Sequence, residues 1–301
     1  MNDLATSPLM GGLLANPLLG PLLEFGFMRS ALLGCVALSL SAAPVGVFLM
    51  LRRMSLTGDA MAHAILPGAA IGYLVAGLSL TAMTIGGVIA GLAVAVGSGL
   101  VSRNTVLRED TSLAAFYLLS LALGVLIVSV RGNSVDLLHV LFGTVLALDD
   151  AALVLLGGIS LVTLVSLALL YRPLVMECLD PGFLRQVSRW GPLAHYGFLG
   201  LLVINLVAGF HALGTLMAVG IMVLPAATAR FWVRRLGPLL VLATTLALSA
   251  SLCGLLLSYH VDLPTSPMIV LSLGAAYLFS LFAAPHGALR HLRTGSSHLQ
   301  A

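Results

Sequence analysis

The 301-residue chain contains no lysine, and charged side chains of every kind make up only 8% of it. A soluble domain carries about 25% charged residues. So few ionic groups do not make a surface that water can cover, which excludes a soluble globular enzyme. Cysteine is nearly absent as well. Cys35, Cys178 and Cys253 stand alone, form no CxxC pair, and supply neither a zinc framework nor a disulfide scaffold. Without lysine there is no GxxxxGK[ST] phosphate loop. Any nucleotide-driven step must therefore belong to another chain. The isoelectric point near 9.0 arises from arginines scattered between apolar runs, not from a basic patch of the kind that binds nucleic acid. The weakly polar N-terminus MNDLATSPLM reads as no cleaved signal peptide.

What is present is apolar: 59% of residues, with a mean hydropathy of +1.10. This composition predicts an all-α polytopic membrane protein. The 32 glycines allow close helix packing and local helix breaks. Apolar stretches fall near residues 30–50, 60–78, 81–101, 112–130, 151–171, 193–209, 212–230, 237–258 and 265–284. That gives eight or nine transmembrane helices, since Pro44, Pro67, Pro225 and Pro267 blur the boundaries. The expected organisation is an N-terminal segment 1–29, a membrane domain 30–286 with a polar connection at about 173–191, and a tail 287–301. Twelve of the 14 arginines fall at one set of alternate span ends, with only Arg29 and Arg131 at the other. The positive-inside rule makes the twelve cytoplasmic and places the C-terminus inside.

Within the second stretch, residues 58–68 read GDAMAHAILPG. In a helix, Asp59 and His63 stand one turn apart on one face. A carboxylate inside a membrane segment is costly unless paired or wetted, and by default it marks a pathway. Carboxylate oxygen with imidazole nitrogen suits a borderline divalent ion such as Zn²⁺, Mn²⁺ or Fe²⁺. Two ligands from one helix bind weakly, as a transit site requires. The spacing is not the HExxH of zinc hydrolases. The alternative reading is structural: Asp59 as an N-terminal helix cap and His63 as a packed core residue.

The stretch RRMSLTGDAMAHAILPGAAIGYLVAG resembles the signature near the second helix of the metal-type ABC transporter permeases, the zinc/manganese/iron uptake family. LREDTSLAAFY, LLHVLFGTVLAL, LDPGFLRQ, ALGTLMAVGIMVLPAATAR and SYHVDLPTSPMIVL follow in the family's order, so the resemblance covers about residues 30–284. It implies a helical-bundle permease, multi-pass in the bacterial cytoplasmic (inner) membrane, that is a transport subunit and not an enzyme. It implies a second copy of the chain around a central path, a cytoplasmic ABC ATPase, and an extracellular or periplasmic metal-binding protein as partners. No cofactor is expected to be held permanently, only the transported zinc, manganese or iron. The family's path residues fall on Asp59 and His63, and its ATPase-docking connection on the polar 173–191 segment with Arg185 and Arg189. Two departures are visible: Ala62 where the family often has serine, and Ser266 where it commonly has glycine.

His211 and His260 lie by this topology at the outer side, where histidines cap helix ends or meet incoming metal. Asp262 reads as an outer-loop residue, and Glu109 and Asp110 as caps of the fourth span. Pro225, Ala226 and Ala227 read as packing backbone at a cytoplasmic helix end. His286, His291 and His298 have no ligand spacing. Competing functions are a permease of the same architecture for an iron chelate, and a proton-coupled carrier with Asp59 as relay. No second buried acid near Asp59 supports the relay. A purely structural membrane protein has little use for Asp59.

The arginine bias makes a direct prediction. With Cys35 and Cys253 replaced, Cys178 should resist a membrane-impermeant thiol reagent in intact cells and react once the membrane is permeabilised. Labelling in intact cells contradicts the assigned orientation.

Overall fold

Segments that are apolar all round belong in hydrocarbon or in a bundle core, and here they form helices long enough to cross a bilayer. The computed structural model describes residues 25–77, 79–106, 109–131, 148–179 and 190–285. Ten helices follow in order: α1 (Gly26–Leu51), α2 (Ser55–Ala64), α3 (Leu66–Ala76), α4 (Leu80–Asn104), α5 (Glu109–Arg131), α6 (Asp150–Leu179), α7 (Trp190–Leu213), α8 (Thr215–Trp232), α9 (Leu236–Val261) and α10 (Thr265–Ala283). Helices α2 and α3 share one span, so the described residues contain nine spans. Nine such spans among the described residues agree with the upper figure of the expected eight or nine. LLHVLFGTVLAL lies largely in 132–147, outside the described residues.

Helices α1 and α7 are the most buried spans, with α5, α6 and α10 at the periphery. One apolar core runs through α1, α2, α7 and α8, centred on Phe48, Met61, Phe198, Leu202, Leu206 and Met222. The outward faces carry large apolar side chains such as Leu161, Leu169, Val241 and Phe279. In water this surface would aggregate; in a bilayer it faces lipid.

The expected end of the fifth span is corrected. The polar reading from Tyr171 onward stops the helix too early: α6 continues through Pro173 to Leu179, and its last turns bury Leu174 and Glu177. Residues 173–179 therefore extend α6. Of the rest of the expected docking connection, 180–189 lies outside the described residues and 190–191 opens α7.

The second span breaks in its middle. Pro67 has no N–H to give to the preceding turn, and the helix interrupts at Ile65 between α2 and α3. The His63 carbonyl, four residues before Pro67, loses its usual donor, and polar backbone groups at a break inside a membrane must be received by the protein itself. Ser120 of α5 donates its hydroxyl to the Ala64 carbonyl at 2.8 Å, fully buried. Beyond the break, α3 lies directly on α4. A Cβ at Gly68 would run into the Gly86 carbonyl, and one at Gly86 into the Gly68 carbonyl.

The α1–α2 turn is equally defined. Met54 N–H reaches Leu49 O and Arg53 N–H reaches Met50 O, both at 3.0 Å. This is a Schellman motif with Arg53 in the left-handed position (φ 60°) where glycine is usual. Arg52 is the C-cap. Its guanidinium lies over the Phe198 ring, 5.0 Å from the centroid.

Replacing Ser120 by alanine leaves the Ala64 carbonyl buried without its donor. We expect Ser120→Ala to lower the stability of the detergent-solubilised protein by about 1 kcal/mol, seen as a reduced Tm. An unchanged Tm means that the carbonyl finds another partner.

Candidate functional site

Helix α2 presents two unlike faces. Thr57, Gly58, Ala60, Met61, Ala62 and Ala64 turn inward. Small residues let this face approach α1 and α8 closely, and Gly58 sits beside Leu49, Met222 and Val223. Asp59 and His63 fall on the other face, where their side chains are 67% and 43% exposed.

This placement removes the structural alternative on both counts. The N-cap of α2 is Met54, and Asp59 lies in the fifth position, making no cap. His63 is not a core residue. Asp59 Oδ1 and His63 Nε2 stand 3.8 Å apart, too far for a hydrogen bond. Oxygen and nitrogen ligands each about 2.0–2.2 Å from one ion stand roughly 3–4 Å apart at ordinary coordination angles. The pair thus has the spacing to share an ion without a change of helix geometry. It supplies two donors and leaves the other coordination positions open.

Asp59 borders a groove of about 350 Å³ between α2 and the start of α5, lined also by Arg53, Ser55, Asp110 and Tyr117. Asp110 is an addition to the site's surroundings: the sequence reading made it a cap of its own helix. A larger cavity of about 430 Å³ among α3, α4 and α5 is lined by Pro67, Ile71, Ile89, Phe116 and Leu123, with Ser120 its one polar side chain. Among the described residues no carboxylate or imidazole lines that cavity. Among the described residues no three His, Cys, Asp or Glu side chains converge on a point. The described residues of one chain thus bring Asp59 and His63 together and no larger group of such donors.

The two departures from the signature have structural explanations. Ala62 is buried on the inward face of α2, so a serine hydroxyl there would point into the bundle. Ser266 donates to the Leu213 carbonyl at 3.0 Å, tying α10 to the end of α7. Its backbone is not in the left-handed region, so no glycine is required. His260 Nδ1 lies 2.8 Å from the Leu256 carbonyl of its own helix, in the last turn before the C-cap Asp262. The side chains of His211 and Glu109 lie outside the described set.

The sequence reading missed a second polar cluster. Arg52 Nη2 lies 3.4 Å from Glu177 Oε1 and 2.7 Å from His195 Nδ1. The side chains of Arg52 and Glu177 are 6% and 2% exposed, and His195 is also buried. An arginine only donates, so His195 Nδ1 accepts and its ring proton sits on Nε2. The cluster fastens the C-terminal ends of α1 and α6 to the first turns of α7. Removing one partner of a buried ion pair costs about 3–5 kcal/mol.

Residues 24–284 match the model of the ABC 3 transport family. The chain is 33% identical over 262 residues to the manganese import system permease protein ScaB of Streptococcus parasanguinis, covering 87% of this chain and 92% of that one. It is 33% identical over 265 residues to the manganese transport system membrane protein MntC of Halalkalibacterium halodurans, covering 88% and 89%. It is 30% identical over 247 residues to the chelated iron transport system membrane protein YfeD of Yersinia pestis, covering 82% of each. Among solved structures, PsaBC from Streptococcus pneumoniae in complex with Fab superposes with a TM-score of 0.79 at 30% identity, over 92% of this chain and 98% of that one.

Proposed function

Because the chain belongs to the ABC 3 transport family across residues 24–284, we propose that it is the permease subunit of an ATP-driven importer of a divalent transition metal. It is a multi-pass protein of the bacterial inner membrane. Manganese and iron are the metals in the names of similar proteins, and zinc shares the same donor chemistry. The observation that carries the reading is the exposed Asp59–His63 pair on one face of a membrane helix.

A carboxylate facing hydrocarbon is unfavourable by several kcal/mol, so the face that carries Asp59 must be covered or wet. A second copy of the chain meets that need. In a twofold assembly the same patch faces itself, and two Asp–His pairs then meet across a central path. The Asp59 carboxylate offsets the ion's lost hydration, and neutral His63 supplies a nitrogen. Two donors per chain hold an ion briefly and release it. Leu56 beside the pair is 84% exposed, adding apolar area to the face that the second copy covers.

The free-ion reading differs from a chelate permease in what must bind. A chelate arrives with its coordination positions filled and does not engage a bare Asp–His pair. Direct Mn²⁺ binding to the assembled complex supports the ion. ATP hydrolysis belongs to a cytoplasmic partner, since the chain has no phosphate loop, and metal is delivered by an extracellular or periplasmic binding protein.

The central test is in proteoliposomes containing the permease, its ATPase and the binding protein. Asp59→Asn and His63→Ala should each lower Mn²⁺ uptake per assembled complex by at least about 10- to 100-fold, the loss that even outer partners of a metal ligand produce. Near-normal uptake in the double variant removes the pair from the path. Protons compete for the imidazole, so apparent Mn²⁺ affinity should weaken as pH falls. The permease alone should show no ATP-dependent uptake.

A further inference from the structure

Arg52, Glu177 and His195 are three polar side chains at one end of the bundle, each nearly free of solvent, drawn from helices far apart in sequence. Strong arginine–carboxylate pairs are frequently short and bidentate. This one is uneven. Arg52 is close to His195 at 2.7 Å but stands off Glu177 at 3.4 Å, and Glu177 Oε2 accepts no hydrogen bond among the described residues. The carboxylate therefore has acceptor capacity that a small displacement of the guanidinium would use.

Position gives the cluster its meaning. Arg52 caps α1 and is followed by the Schellman turn at Arg53 and Met54 and then by α2. Asp59 is seven positions beyond Arg52. Glu177 is in the last turn of α6 and His195 near the start of α7, the two helices whose facing ends bound the connection expected to meet the ATPase. Arg53, a non-glycine residue in the left-handed region, is a costly conformation that persists where surrounding contacts impose it. The hydrogen bonds Arg53 N–H to Met50 O and Met54 N–H to Leu49 O tie the start of α2 to the last turn of α1.

We propose that Arg52, Glu177 and His195 are positioning residues for transport: the guanidinium moves between imidazole and carboxylate, and this shift carries motion of the α6 and α7 ends to the Asp59–His63 helix. The proposal rests on the ATP-driven reading above. It assigns no metal ligation to the cluster.

The test uses the complete complex with its ATPase and binding protein, with Mn²⁺ as the probe. In the paired variant Arg52→Met with Glu177→Leu both charges leave together, which avoids a stranded buried charge and preserves volume. The paired variant should bind Mn²⁺ and hydrolyse ATP within about twofold of the parent, while Mn²⁺ carried per ATP falls about tenfold, a typical coupling effect. His195→Gln offers an amide oxygen to Arg52 and should keep the parent ratio, whereas His195→Leu should lose it. A parental Mn²⁺-to-ATP ratio in the paired variant overturns the proposal. If that variant does not assemble, equal ratios in His195→Gln and His195→Leu overturn it instead. A readout without metal separates this proposal from the transport reading. Without any label, backbone hydrogen exchange of residues 55–64 should respond to ATP in the parent and not in the paired variant. An equal response in both overturns the relay even if the parent moves no Mn²⁺.

Discussion

Hydrocarbon offers no hydrogen-bond partner to a peptide group, so a membrane chain can leave the helix only where the protein itself receives the freed groups. Among the described residues the break inside a span falls at Ile65, and the packing around it follows from that constraint. Ser120 takes the Ala64 carbonyl. Mutual approach of Gly68 and Gly86 lets α3 lie flat against α4. The break divides the span into α3, apolar throughout, and α2, whose outward face bears Asp59 and His63. Without it a single straight helix would have to satisfy both packing surfaces at once.

Charge is handled in two opposite ways within a few residues. Arg52 and Glu177 are buried and face each other, with neutral His195 completing the group. Asp59 and His63 stand open on the chain's surface, too far apart to bond each other. A buried group shares its hydrogen bonds among its own members; an open pair keeps its lone pairs for something else. In the proposed mechanism the two clusters divide the work. The open pair meets the ion, and the buried cluster carries motion from helix ends that the sequence places on the cytoplasmic side.

Much of this was legible in the sequence, for identifiable reasons. Low charge and long apolar runs determine an α-helical membrane bundle. The four-residue spacing of Asp59 and His63 puts both on one face of α2, as observed. What sequence could not give is contact between remote residues. Arg52 reads as one more arginine at a cytoplasmic helix end, yet it meets a glutamate 125 positions away. Glu177 reads as part of a polar connection because Tyr171, Arg172 and Pro173 resemble a helix stop, but α6 runs through them. The Ala62 and Ser266 departures also needed the fold to interpret. One side chain faces the bundle interior, and the other bonds the end of α7.

The account depends most on the claim that a bound ion meets the α2 imidazole. The direct measurement is electron–nuclear double resonance on Mn²⁺ bound to the assembled complex, with histidine nitrogens isotopically labelled in the permease alone. The account predicts a nitrogen coupling characteristic of direct imidazole ligation that disappears in His63→Ala while the complex remains assembled. A bound Mn²⁺ whose spectrum shows no permease nitrogen, or one unchanged by His63→Ala, would contradict it.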